Sequence, residues 1–130
     1  MKARYAKRLT GPLLDRIDLR VDVGRLRVEE LSAAPGEPSV RIRERVASAR
    51  RRMMLRGGLN RDLDRRALDS AAYTPGALGL LTAEARRSGL TARGWDRVRR
   101  VAMTIADLAA SATIDEGHVA EALHFRGKDA

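Results

Sequence analysis

Four arginines stand where side-chain type and spacing could do chemistry. Arg16 lies in the run Asp15-Arg16-Ile17-Asp18. Arg93, Arg97 and Arg100 fall at i, i+4 and i+7, which places them on one face of any helix there. A guanidinium stays charged and presents a planar fork of donors, so its natural ligand is a phosphate or a carboxylate. For Arg16 the residues alone leave two readings open: an anion outside the chain, or an ion pair with the neighbouring Asp15 or Asp18. For Arg93 the position adds an argument. Thr91 is a good N-cap, which sets Arg93 in the first helical turn, where the helix dipole disfavours a cation by about 0.3 kcal/mol or more. A cation there is better placed if an anion approaches. The alternative is a solvated basic face paired with Asp96 or with a neighbouring helix. The other basic run, Arg41 to Arg56, holds seven arginines against Glu44 alone. It could track nucleic-acid phosphates, but it lacks interleaved aromatics for base stacking, and a solvated or intersubunit face suits it better.

Other chemistries are poorly provided for. Cysteine is absent, which removes disulfides and thiolate metal sites. His118 and His124 are six residues apart, without helical i, i+4 ligand spacing and far from any Ser-His-Asp arrangement. No G-x-x-x-x-G-K-[ST] phosphate loop occurs; the single Gly-Lys pair, Gly127-Lys128, is followed by Asp129 and the chain end. No stretch approaches the roughly 20 apolar residues of a membrane helix, and the basic start is not followed by the apolar run of a signal peptide. A cytoplasmic protein is expected. With 26 Lys+Arg against 17 Asp+Glu the net charge is +9, which favours an anionic partner.

The elements that must position these residues are mostly helical. Apolar residues make up 44% of the 130 positions but aromatics only 3%, so the core must be built from Ala, Leu, Val and Ile in closely packed helices. Tyr5, Leu9, Leu13 and Ile17 recur every four residues and suggest short helical turns. Ile17, Leu19, Val21 and Val23 alternate with Asp18, Arg20 and Asp22, the period of a half-buried strand. No second convincing strand follows. A lone strand cannot satisfy its backbone, so its sheet is expected upstream or in another molecule. Gly24, Pro35, Gly36 and Pro38 mark residues 24–38 as a linker. Ser39 is a candidate N-cap for a helix whose stripe is Ile42, Val46, Ala49 and Met53, stopped by Gly57-Gly58. A short helix is expected around Leu63, Ala67 and Leu68. Thr74-Pro75 opens the next, with Leu78, Leu81 and Ala85 inward and Gly89 at its end. Thr91 begins the longest, about 91–111, with a stripe of Val98, Val101, Ala102, Ile105, Leu108, Ala109 and Ala112. Thr113 or Asp115 caps a last helix that turns Val119, Ala122 and Leu123 inward. The fold class is therefore mainly α: a bundle of four to five helices preceded by one orphan strand and a linker.

Two segments carry a resemblance. One is Arg4-Tyr5 followed by Arg8-Leu9-Thr10-Gly11-Pro12-Leu13-Leu14-Asp15-Arg16-Ile17-Asp18-Leu19. The other is Leu90-Thr91-Ala92-Arg93-Gly94-Trp95-Asp96-Arg97-Val98 running through Val101 to Ala109, with His118-Val119-Ala120-Glu121-Ala122-Leu123 after it. Together they resemble the magnesium-chelatase-like AAA+ ATPases of the ComM/YifB type over nearly the whole chain. The resemblance implies that residues 1–23 are the last piece of a nucleotide-binding core, 24–38 a linker and 39–126 the helical lid. It implies that Arg16 is an arginine finger acting in trans on a neighbour's γ-phosphate, a role worth roughly 10³–10⁵ in rate. It implies that Arg93 is the sensor-2 arginine on an ATP phosphate; Arg97, one turn along the same helix face, is a candidate for a further phosphate contact. ATP and Mg²⁺ are then expected in the full-length parent and not on this stretch alone, which lacks the phosphate loop and is expected to be inactive by itself. The implied partners are other subunits of a hexameric ring, and DNA. No membrane is implied, and the chain by itself is expected to be a monomer or a weak dimer in a bacterial cytoplasm. The implied activity is ATP-driven DNA branch migration in natural transformation and recombination. Two alternatives stand beside it: a stand-alone basic helical module that binds nucleic acid, and the lid of a magnesium chelatase motor subunit.

Overall fold

Capping residues decide where the helices begin and end. The computed structural model describes Leu13 and residues 16–126; the turns expected over Tyr5 and Leu9 lie outside the described residues. In chain order the elements are α1 (Val28–Leu31), α2 (Ser39–Leu55), a 3₁₀ turn (Asn60–Asp62), α3 (Arg65–Asp69), α4 (Pro75–Ser88), α5 (Ala92–Leu108) and α6 (Glu116–Arg126). The hydroxyl of Thr74 accepts from the Ala77 amide at 3.1 Å, with Pro75 at the first helical position. Thr91 caps α5 the same way through Gly94 at 3.1 Å, and Asp64 caps α3 through Ala67 at 2.8 Å. Asp115, one of the two expected caps of α6, accepts from the His118 amide at 3.1 Å. Gly89 ends α4 in the left-handed conformation at φ 61°, where a Cβ would be strained. The expected cap Ser39 is corrected: Pro38 is the N-cap of α2, no side chain caps it, and Ser39 is the first helical residue. Pro38 sits at φ −67°, the value its ring imposes. The short α1 was not anticipated inside the expected linker; it is closed by Glu30, whose carboxylate accepts from the Arg27 amide at 2.8 Å.

The core gathers around α5, which packs on α6, α2, α3 and the 3₁₀ turn, while α4 packs on α6. Leu68, Leu81 and Val119 are completely buried, each contributing about 1.5–3 kcal/mol by its transfer from water. Ala77, Val98, Ala102, Met103, Ala106, Ile114 and Ala122 complete the cluster, with Trp95 and Tyr73 half-buried against it. Small residues at the centre let the helices approach closely. The long stripe expected on α5 is half right. Val98 and Ala102 are buried, but Ala109 and Ala112 are exposed, and the buried face takes in Arg99 and Asp107 instead. On α2, Ala49 and Met53 are buried while Ile42 and Val46 stay exposed. On α4, Ala77 and Leu81 are buried and Leu78 is exposed.

Two loops hold one end of the bundle together. The Thr74 amide donates to the Ile114 carbonyl at 2.9 Å, and the Ile114 amide to Ala72 at 2.8 Å, a single parallel bridge between Tyr73 and Ile114. The Glu116 side chain lies over Gly76 and leaves no space for a Cβ there, and its carboxylate takes a hydrogen bond from Thr74 at 3.1 Å. The alternating segment 17–23 forms no strand, and no strand occurs among the described residues. Strands exist only through partners, and none is present here. One backbone bond holds the segment to the bundle, from the Arg20 amide to the Phe125 carbonyl at 2.8 Å. Among the described residues no helix is long and apolar enough to cross a membrane. The molecule is thus a mainly helical bundle, with residues 17–23 lying across the ends of α5 and α6.

Candidate functional site

The N-terminal turns of α5 carry the arginines that the spacing singled out, and the fold treats them differently. Arg93 lies in the first turn, directly after the Thr91 cap, and is exposed. Among the described residues it has no ion-pair or hydrogen-bond partner. Asp96, the carboxylate three residues on, is taken by Arg65 at 3.0 Å and lies 3.5 Å from Arg99. Arg93 is therefore an unpaired cation at the positive end of a 17-residue helix, a position that favours an anion. One turn further on, Arg97 is buried to 12% exposure and points the other way: its Nε is 2.9 Å from the Asp18 carboxylate, and its Nη1 donates to the Ile17 carbonyl at 3.3 Å. Arg100 donates to the Leu63 carbonyl at 2.8 Å, while its buried Nε has no hydrogen-bond partner among the described residues. The expected row of three arginines is one helix face in sequence, but only Arg93 is available to a ligand.

Arg16 is exposed, in a turn where its amide donates to the Leu13 carbonyl at 3.0 Å. One of the two acids that could neutralise it in sequence, Asp18, is engaged by Arg97; the other, Asp15, lies outside the described residues. Arg16 and Arg93 thus share a property: each lies near a carboxylate that another arginine occupies.

The remaining polar clusters serve the fold. Arg56, which the sequence placed in a basic face, reaches across to Asp107 in α5, donating at 2.7 Å through Nη1 and again through Nη2. Asp107 is 3% exposed and also accepts from Asn60 at 2.9 Å, and Asn60 donates to Thr104 at 3.0 Å. Every carboxylate oxygen is used, which is the condition for keeping such a charge inside. Arg99 is likewise buried: it donates to Asp69 at 2.7 Å and to the Tyr73 hydroxyl at 3.4 Å, with its guanidinium 5.6 Å from the Tyr73 ring. Burial pushes the Tyr73 phenol above its usual pKa, against the pull of Arg99 beside it. Burial also works against the charge on Arg99, but the bonds to Tyr73 and Asp69 outweigh it and raise its pKa. These pairs span 26 to 51 residues of sequence, and no local pattern marks them. On the surface of α2, Arg45 holds Glu37 in a two-point bridge at 2.6 and 3.0 Å, and that hydrogen bonding keeps the Glu37 carboxyl below its usual pKa. His118 is a capping residue: its Nδ1 accepts from the Asp115 amide at 3.1 Å. Among the described residues no group of three His, Cys, Asp or Glu could hold a metal ion.

Comparison with known proteins covers nearly all of the chain. Residues 36–126 match the family described as magnesium chelatase, subunit ChlI C-terminal, and residues 1–31 match the one described as magnesium chelatase, subunit ChlI. An uncharacterized protein of Mycobacterium tuberculosis is 41% identical over 96% of this chain and 26% of its own length. YifB of Escherichia coli is 36% identical over 97% of the chain and 26% of its own length. The competence protein ComM of Haemophilus influenzae is 35% identical over 95% of the chain and 25% of its own length. The chain spans about a quarter of the length of these relatives.

Proposed function

We infer a function from the premise that the chain belongs to the magnesium chelatase subunit ChlI family, with residues 36–126 forming its C-terminal domain. Within that family it serves as the lid and finger-bearing part of a ring-forming AAA+ ATPase of the ComM/YifB kind. Arg16 acts in trans, stabilising charge on the γ-phosphate oxygens of a nucleotide held by the neighbouring subunit. Arg93 contacts an ATP phosphate from the start of α5. The observation that carries this reading is electrostatic: Arg16 and Arg93 are exposed and, among the described residues, have no side-chain partner, although each has an acid close by in sequence. A guanidinium in that state suits a phosphate that arrives from elsewhere. ATP and the Mg²⁺ that accompanies it are bound by the full-length parent. The ring is built from further copies of the full-length protein, a hexamer by family likeness, in the bacterial cytoplasm.

The cargo of the motor is DNA, moved by branch migration during natural transformation and recombination. The similarity to a protein named for competence supports this, as does the net charge of +9. The description of the matching family favours a second reading, the lid of a magnesium chelatase motor. ATPase assays on the full-length protein separate the two, since stimulation by DNA supports the first and stimulation by a porphyrin with its chelatase partners supports the second. For the arginines, Arg16→Ala is expected to lower kcat by about 10³-fold or more with assembly intact. Arg93→Ala is expected to weaken ATP binding and raise KM. Near-normal turnover by an assembled Arg16→Ala ring would remove the finger assignment.

A further inference from the structure

Arg97 lies one helical turn beyond Arg93 on α5, yet its guanidinium is engaged by the chain itself. Its Nε is 2.9 Å from Asp18, its Nη1 is 3.3 Å from the Ile17 carbonyl, and only 12% of its side chain is exposed. The contact joins residues 80 positions apart. A second tie lies beside it, the bond from the Arg20 amide to the Phe125 carbonyl at the end of α6. Residues 17–20 are therefore fastened to the bundle at two points, by α5 and by α6. The apolar residues of the segment add little hold, since Ile17, Leu19, Val21 and Val23 are all exposed, while Arg20 is half-buried. Two residues of extended chain span about 7 Å at most, so Arg16 can stray little from the Asp18 that Arg97 holds. Arg93 and Arg97 are one helical turn apart, about 6 Å along α5.

We propose that Arg97 is a positioning residue, a latch that binds the segment carrying Arg16 to the helix carrying Arg93, so that the two arginines move as one body. This rests on the reading of Arg16 and Arg93 as phosphate contacts at shared ATP sites. Its consequence is a coupling between sites. When the N-terminus of α5 responds to one nucleotide, the latch shifts the arginine offered to the neighbouring subunit's nucleotide. The planar fork of arginine suits the task, because one donor grips the carboxylate while another reaches the carbonyl next to it.

The test has two arms. In this chain, amide exchange is followed at Arg20. Arg97→Ala and Asp18→Ala are each expected to speed it about tenfold, with Arg97→Lys in between and the double variant no worse than either single one. Unchanged exchange at Arg20 in both alanine variants would overturn the latch. In the full-length ATPase, a latch that misplaces the finger predicts a kcat about tenfold lower or worse for Arg97→Ala, with KM for ATP held. A raised KM with kcat retained would make Arg97 a substrate contact and would equally overturn the proposal. The finger reading fails separately: if Arg16→Ala turns over normally while Arg97→Ala still releases Arg20, the latch is present but serves no finger. If Arg16→Ala is inactive while Arg97→Ala changes neither exchange nor kcat, the latch alone is refuted.

Discussion

At the scale of single residues, the fold spends its arginines in two ways. Some close buried networks, and Arg16 and Arg93 stand exposed with no side-chain partner among the described residues. Arg56 belongs to the first group, because Asp107 is buried and depends on it for charge balance. Arg56→Ala leaves that carboxylate with Asn60 as its remaining described partner, and a cost of about 2–4 kcal/mol is expected in chemical denaturation. Arg56→Lys should recover part of that loss, since one ammonium cannot reproduce the two-point grip. Tyr73 gives a second measurable consequence. Its phenol is held above the usual pKa, chiefly by burial. The sign follows from linkage: the unfolded chain releases this proton at a lower pH than the folded one. Stability contributed by the neutral phenol is therefore complete below the unfolded pKa of about 10 and is lost as pH rises through the higher folded value. Phenolate absorbance should show Tyr73 titrating late in the folded chain, and Tyr73→Phe should remove its share of that late phase. A single early transition covering both tyrosines would contradict the burial argument. None of these networks could be read from the sequence. Arg56 looked like one more member of a basic face, and Arg99 and Asp107 interrupted an apolar stripe. Polar side chains paired across 30 or more residues leave no local period to find.

At the scale of elements, legibility followed the chemistry of the ends. Thr74-Pro75, Thr91 and Gly89 fixed α4 and the start of α5 because each supplies a donor partner, or a backbone freedom, that the helix end requires. The start of α2 was misplaced by one residue because Pro38 pre-sets its own geometry and needs no side-chain cap. The stripe on α5 ran too far, since alanines are compatible with either face. Its end holds a residual strain: Ala110 sits at φ 56°, donating to Asp107 O at 3.1 Å, while Ser111 donates to Ala106 O at 2.9 Å. This is the position where helix ends ordinarily place glycine. The reverse holds in α4, where Gly79 lies in a helix interior with open space around its Cα. Ala110→Gly and Gly79→Ala are therefore both expected to stabilise, each by about 0.5–1 kcal/mol, and to add, since they sit in different elements. Gly76→Ala is the control in the same helix. It places a methyl group on the Glu116 carboxylate and disturbs the bond to Thr74, so its helix-propensity gain should be largely cancelled. Thermal midpoints of the three variants check the set; a Gly76→Ala variant as stabilised as Gly79→Ala would refute the contact across the two loops.

At the scale of the whole molecule, the buried core and the exposed segment that precedes it occupy different parts of the chain. Every buried hydrophobic residue among those described lies between Ala49 and Ala122, and no residue from 16 to 38 is buried. Apolar burial is the main favourable contribution to folding, so the segment before α2 contributes little to it. What residues 16–23 offer instead is an exposed apolar alternation, an exposed arginine and two ties to the bundle, which suits a piece whose partners come from outside. The hydrophobic alternation in the sequence was real, but with no neighbouring strand among the described residues it forms no ladder there. The prediction that follows concerns removal of that piece. A chain beginning at residue 36 should keep its helical circular dichroism and melt within about 5 °C of the 130-residue protein, because the ties to the bundle lost among the described residues are the Asp18–Arg97 pair, the Ile17 contact and one backbone bond, and a pair whose carboxylate is exposed contributes about 0–1 kcal/mol. Deleting α6 instead should unfold the molecule, since Val119 and Ala122 fill the seam against α5 and α4. If loss of residues 1–35 cost as much as loss of α6, the division between a self-supporting bundle and an appended contact segment would be wrong, and the latch would have to be counted among the forces that fold the chain.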